Sequence, residues 1–225
     1  MNNDKSNENV FGFDNSIEGQ EKLECWELSN NISSRCLFIE SEYENETWSA
    51  SENKFIPDWM SDFEARYPDL KVPYDNYTNL KRLTDWIAST CQSTATNTAL
   101  DEPITFHELD KNKEEIYYNE DSAKYRLAKF KYEFDNYFFK EPMLFYYLFT
   151  ETFLLVDSRA KNMFLTTFDG NKWFPIPYDM DTAIGINNEG AFVFEYDLED
   201  DEMLGSKKVF NGKDSALWIN VRDAF

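Results

Sequence analysis

DSRAKNMFLTTFDGNKWFPIPYDMDTAIG, residues 157 to 185, is the stretch whose reading decides the fold. Asp157 closes a long apolar run and Asn162 follows five positions later. Two alternating apolar segments, Met163–Phe168 and Trp173–Tyr178, meet at Asp169-Gly170, the pattern of a β-hairpin. The second segment ends in Asp179 and Asp181, which in extended backbone would share a face roughly 6 to 7 Å apart. A hairpin brings the residues before its first strand close to those after its second, so Asp157, Asn162, Asp179 and Asp181 are expected to converge. Three carboxylates and an amide make a hard-oxygen site, suited to Mg²⁺ and through it to phosphate. Pro175 and Pro177 remove backbone donors at alternate positions, so the second strand is expected to pair on one side only or to lie at a sheet edge.

Upstream, Glu141–Val156 (EPMLFYYLFTETFLLV) is the most apolar segment, with Pro142 placed for a helical first turn. Its apolar residues run almost all the way round, which predicts a central buried helix delivering Asp157 at its C-terminal end. There the helix dipole disfavours a carboxylate, so a compensating cation or hydrogen bond is expected. Tyr77–Thr90 reads as a helix with Thr78 as N-cap and Leu80, Leu83, Trp86 and Ile87 on one face. Ser122–Phe134 reads as another, whose basic residues Lys124, Arg126, Lys129 and Lys131 are expected to pair with carboxylates. Before these, Met1–Glu21 reads as a polar tail, Lys22–Leu28 and Arg35–Glu40 as short strands, 41–54 as an acidic surface loop, and Ile56–Leu70 as a short helix stopped by Pro68. Residues 91–101 and 195–202 read as loops, and His107, the single histidine, as a surface or capping residue.

The chain has 225 residues, 42% hydrophobic and 17% aromatic, enough for a sizeable core. Its formal charge of −21 repels nucleic acid and anionic lipid, so no direct nucleic-acid or membrane partner is expected. Cys25, Cys36 and Cys91 are odd in number and widely spaced, which predicts free buried thiols. The N-terminus lacks the apolar core of a signal peptide, and no run of about 18 apolar residues occurs. A cytoplasmic or virion-associated location is the expectation. The sequence stops at Phe225 inside ALWINVRDAF, the pattern of a helix, so the C-terminal part is expected to be truncated at its end.

Kinase chemistry needs a carboxylate to take the substrate hydroxyl proton, and an amide and a second carboxylate for Mg²⁺; protein kinases space the first two as Asp-x-x-x-x-Asn. Asp157-Ser-Arg-Ala-Lys-Asn162 has that spacing. With Phe153-Leu-Leu-Val-Asp157, Asn162-Met-Phe-Leu, Asp169-Gly170, Pro177-Tyr-Asp-Met-Asp181 and Gly185, the chain resembles the spore-coat CotH-type kinases over about residues 75 to 190. The resemblance implies an α+β fold of partial protein-kinase-like type, mainly the helical C-terminal lobe with a catalytic-loop hairpin. In that division 1–70 supplies a tail and the end of a small β lobe, and 71–225 the C-terminal lobe. It implies Asp157 as the catalytic acid, Arg159 and Lys161 near the transferred phosphate, and Asn162 with Asp179 or Asp181 as ligands of Mg²⁺ or Mn²⁺. ATP would be the phosphate donor and a protein hydroxyl the acceptor. Two features depart from the family: no phosphate-gripping lysine is recognisable in 1–70, and Pro177-Tyr178 stands where the family has Pro-Trp. The acidic, Asn- and Tyr-rich style is also similar to CotH-like modules of bacteriophage structural proteins, which gives the alternative of an inactive structural module with protein partners. A third reading takes Asp179-Met-Asp181-Thr182 as the nucleophile motif of haloacid-dehalogenase phosphatases. A calcium loop is excluded by Ala183 and Ile184, where oxygen ligands and glycine would be required.

Overall fold

The computed structural model describes residues 23–28, 46–49, 54–57, 63–67, 78–109, 115–155, 158–159, 162–181, 183–186, 190 and 216–225. They form a mixed α+β fold with four α-helices and three antiparallel sheets among the described residues. The main sheet has the order β4-β1-β7-β8, built from β1 (Glu24–Leu28), β4 (Phe63–Tyr67), β7 (Met163–Thr167) and β8 (Trp173–Pro177). Two separate ribbons pair β2 (Glu46–Ser49) with β3 (Lys54–Pro57), and β5 (Ala99–Leu109) with β6 (Glu115–Glu120). The helices are α1 (Thr78–Ser89), α2 (Ala123–Glu133), α3 (Lys140–Thr152) and α4 (Ala216–Ala224). No described helix is long and apolar enough to cross a membrane.

The expected hairpin is present, with Met163 opposite Pro177 and Thr167 opposite Trp173. Strand β7 is buried along its whole length, because it lies between β1 and β8 and carries apolar side chains to both faces. One face sends Trp26, Phe63, Met163, Leu165 and Trp173 into the main core, together with Leu80, Leu83 and Ile87 of α1 and Leu217 and Trp218 of α4. The other face gathers Leu23, Cys25, Tyr67 and Phe164. A register shift between Cys25 and Trp26 pairs Cys25 with Tyr67 but Trp26 with Ala65. The extra residue, Arg66, is a β-bulge and turns Tyr67 to the opposite face from Phe63. Strands from both sides of residue 70 thus share one sheet and one core.

Strand β8 is the edge that its prolines predict, and the ladder shows why they are tolerated. The N–H groups of even-numbered residues point toward β7; Tyr178 N–H, for example, donates to Asn162 O at 3.2 Å. Outward-facing donors would belong to residues 173, 175 and 177. Two of these are prolines, and Trp173 N–H is taken by Tyr137 O at 2.8 Å. The edge therefore offers a further strand no backbone donor along its length, which is how an exposed edge is kept from pairing.

The hairpin turn is locked to α1. Asp169 Oδ1 accepts from the N–H groups of Asn171 (2.7 Å) and Lys172 (2.9 Å), and Gly170 N–H donates to Thr167 Oγ1. Burial pushes the Asp169 carboxyl up, but these hydrogen bonds outweigh it and hold the group below its usual range. Arg82 of α1 donates to Asn171 O and lies 4.6 Å from the centre of the Tyr137 ring. Asn79 donates to Glu24 Oε1 at 2.6 Å, tying the same helix to β1. Gly170 has φ +73°, and a Cβ there would stand 2.6 Å from Asn79 Nδ2, so both conformation and space demand glycine.

Arg126 and Lys129 of the basic stripe of α2 pair with carboxylates as expected. Arg126 is buried and forks onto Asp121 with two 2.7 Å bonds, while Nη1 reaches Cys91 O; Lys129 lies 3.5 Å from Glu133. Ser122 caps α2 by accepting from Tyr125 N–H. Cys25 and Cys91 are free and buried, and burial pushes the Cys25 thiol up to about 12; Cys36 lies outside the described residues.

Four expectations are corrected. Phe63–Tyr67 is a strand, not part of a helix, because Phe63 and Ala65 alternate with polar neighbours and pair with β1. Within the acidic stretch 41–54, Glu46–Ser49 is β2 and Lys54 opens β3, an antiparallel pair with Thr47 opposite Ile56 and Trp48 opposite Phe55. The 91–101 loop gives way at Ala99 to β5. Helix α3 ends at Thr152 rather than Val156, with Leu154 in the left-handed conformation (φ +52°) and Leu155 N–H returning to Thr150 O. This closing turn buries Leu155 in the core. Residues 1–21, the strand expected at 35–40, the 195–202 run and the His107 side chain lie outside what is described.

Two outcomes follow. Gly170→Ala should lower the unfolding free energy by about 2 kcal/mol in urea titration, combining left-handed strain with a steric clash; an unchanged midpoint would contradict the turn–helix lock. The Asp121 carboxyl is held well below the usual range, chiefly by its hydrogen bonds from Arg126. Its stabilisation is therefore present above the unfolded carboxylate value of about 4 and is lost as pH falls through the depressed folded value. Asp121→Asn should reduce thermal stability at pH 7 and flatten the decline below about pH 4.

Candidate functional site

The site is built where the open end of the hairpin meets the end of α3. Asn162 enters β7 and Asp179 leaves β8 directly across the ladder. The Asn162 side-chain amide donates to Asp179 O at 3.3 Å, so these two candidate ligands are neighbours, as the hairpin predicts. Asp179 and Asp181 are both exposed. Asp179 has φ +50°, so the extended geometry expected for the Asp179/Asp181 pair does not apply; the chain turns at Asp179. Met180, between them, packs on the core and accepts from Ser158 Oγ at 3.4 Å. Asp157 and Lys161 lie outside the described residues.

Ser158 and Arg159 are pinned to α3. Tyr146 donates its hydroxyl to Ser158 O at 2.6 Å. Arg159 is 1% exposed; it pairs with Glu151, donates to Thr150 Oγ1 at 3.1 Å, and lies 4.6 Å from the centre of the Tyr147 ring. Its guanidinium is thus held among α3 side chains. Sequence reading placed Arg159 at a phosphate and missed its anchors. The available signal was the spacing of Met143, Tyr146 and Thr150, the buried face of α3.

Backbone strain is concentrated here. Among the described residues, Asn97, Leu154, Asn162, Asp179 and Ile184 are the non-glycine residues with positive φ, and four of the five fall between 154 and 184. Asn and Asp tolerate this conformation better than most residues; Leu and especially β-branched Ile do not. Ile184 (φ +60°) is held by its N–H donating to Phe153 O at 2.7 Å. Such outliers cost on the order of 1–3 kcal/mol each and persist where the surroundings fix them, commonly at functional sites.

Chemically, Asn162, Asp179 and Asp181 offer an amide carbonyl and two carboxylates at the surface, a donor set that fits a hard divalent cation. Among the described residues no three His, Cys, Asp or Glu side chains gather as a metal cluster. Comparison of the chain with protein-family models, with curated proteins and with solved structures finds no match.

The left-handed backbone at Asp179 gives a direct stability test. Asp179→Gly should be more stable than Asp179→Ala by about 1 kcal/mol in chemical denaturation, because only alanine carries a Cβ into that conformation. Equal stabilities would show that residue 179 does not hold the left-handed turn.

Proposed function

We infer that the chain is a CotH-like module that transfers phosphate from ATP to a protein hydroxyl with Mg²⁺ or Mn²⁺. The observation that carries this reading is the pair of contacts joining the two halves of the stretch: Asn162 to Asp179 O, and Ser158 to Met180. These bring Ser158 and Asn162, from the segment with Asp-x-x-x-x-Asn spacing, into contact with the Asp-Met-Asp turn, which supports a phosphoryl-transfer reading. In this reading Asn162 with Asp179 or Asp181 would hold the cation, whose bound charge neutralises phosphate oxygens. Asp157 accepts the proton of the substrate hydroxyl. Lys161 is a second cation of that loop for the phosphate. Arg159 serves from its buried cage by fixing the loop to α3. The partial kinase-like lobe assigned to 71–225 belongs to the same proposal.

A second reading, a catalytically inactive kinase-like module of a phage virion or spore-coat-type assembly, is favoured by the apolar face of α3 described below. The phosphatase reading is disfavoured by β8: its aspartate motif normally ends a buried parallel strand, whereas β8 is an antiparallel edge.

Incubation with radiolabelled ATP, Mg²⁺ or Mn²⁺ and a basic or hydroxyl-rich acceptor protein tests the proposal. Transfer should fall by about a hundredfold or more in Asp157→Asn, and be lost in Asp179→Ala or Asp181→Ala. Metal-dependent nucleotide binding without transfer would favour the inactive module; hydrolysis of an aryl phosphate without ATP would favour the phosphatase.

A further inference from the structure

Helix α3 was expected to be buried all round, and it is not. Its buried side consists of Met143, Tyr146 and Thr150. The opposite side is apolar and open: Phe145 is 70% exposed and Leu148 63%, with Phe149 half-buried between Phe145 and Phe153. The spacing i, i+3, i+4, i+8 makes one continuous stripe along the helix. Ile184, 62% exposed, extends it, since its N–H is bonded to Phe153 O beside the exposed Phe153 ring. A β-branched residue in left-handed backbone, held with its side chain in solvent, is a second and independent sign that this surface is meant to be met.

We propose that this stripe docks an amphipathic helix of a partner protein, with apolar residues at i, i+3/i+4 and i+7 and Lys or Arg along its flanks. Size and charge select that occupant. A 13-residue helix is about 20 Å long, so the stripe matches one helix laid beside it and falls well short of the ~800 Å² per side of a stable dimer. The chain carries a formal charge of −21, which repels a second copy and an anionic surface and attracts a cationic partner. Exposed carboxylates stand at both ends of the stripe, Glu141 on the first turn of α3, and Asp179 and Asp181 just before Ile184. On α3 itself Lys140 is directed elsewhere, 4.0 Å from the centre of the Phe225 ring. The inference does not depend on phosphate transfer and stands or falls separately from it.

The test is fluorescence anisotropy with a labelled synthetic peptide of about 14 residues, leucine at helical a/d spacing and lysine elsewhere. Its control is the same composition scrambled to destroy the apolar face, which separates docking from charge attraction alone. The full chain should bind the amphipathic peptide at least tenfold more tightly than the scrambled one. Phe145→Ser/Leu148→Ser should abolish that difference while circular dichroism shows the fold retained, since both side chains are exposed. Three results would overturn the proposal: equal affinity for both peptides, undiminished discrimination by the double variant, or concentration-dependent dimers by light scattering that the double variant dissolves. Partition onto zwitterionic vesicles, reversed by the same substitutions, would overturn it in favour of a lipid surface.

Discussion

The antiparallel pairing of β7 with β8 is the constraint on which the rest depends. Met163 opposite Pro177 sets the register, and that register alone decides that Asn162 meets Asp179. A slip of β8 by one residue would exchange its two faces, expelling Trp173 from the core. Three features hold the register: a turn stitched by Asp169 and Gly170, the clamp of Arg82 and Asn79 of α1 on that turn and on β1, and the burial of β7 between two neighbours. The prolines of β8 close the outer edge, so pairing is satisfied on the inner side alone.

From this frame a strained site is suspended. Leu154, Asn162, Asp179 and Ile184 each adopt a conformation that a non-glycine residue avoids. What holds them is packing around them: Tyr146 on Ser158, the Arg159 cage, Met180 on the core, and the hydrogen bond from Ile184 to Phe153. Arg159 illustrates a general point about reading a charged residue beside a candidate catalytic one. Its neighbours in sequence suggested phosphate, and its contacts in space include Glu151, Thr150 and the Tyr147 ring, which tie it to α3.

The hairpin, its turn and its edge prolines were legible because each rests on local chemistry: alternation, Asp-Gly, and missing donors at alternate residues. Helices α1 and α2, with the Trp86 face of α1, were legible for the same reason. Failures came where long-range pairing overrode local composition. Phe63–Tyr67 carries a helix-compatible sequence but is recruited by β1, and Glu46–Ser49, within an acidic stretch, pairs with Lys54–Pro57. The apolar ring of α3 suggested complete burial, since sequence cannot tell a face that meets the core from one that awaits another molecule. Of the candidate site, the Asn162–Asp179 approach could be read in advance; the left-handed backbone at Asp179 and the inward turn of Arg159 could not.

The divalent-cation site proposed for this hairpin is tested most directly by paramagnetic broadening. Substoichiometric Mn²⁺ added to isotope-labelled protein should broaden the amide resonances of Asn162, Asp179 and Asp181 first, and that selectivity should vanish in Asp179→Gly. On a chain with a formal charge of −21, diffuse binding is the opposing case. Broadening spread evenly over exposed carboxylates such as Asp101, Glu102 and Glu120, unchanged by the substitution, would contradict the account.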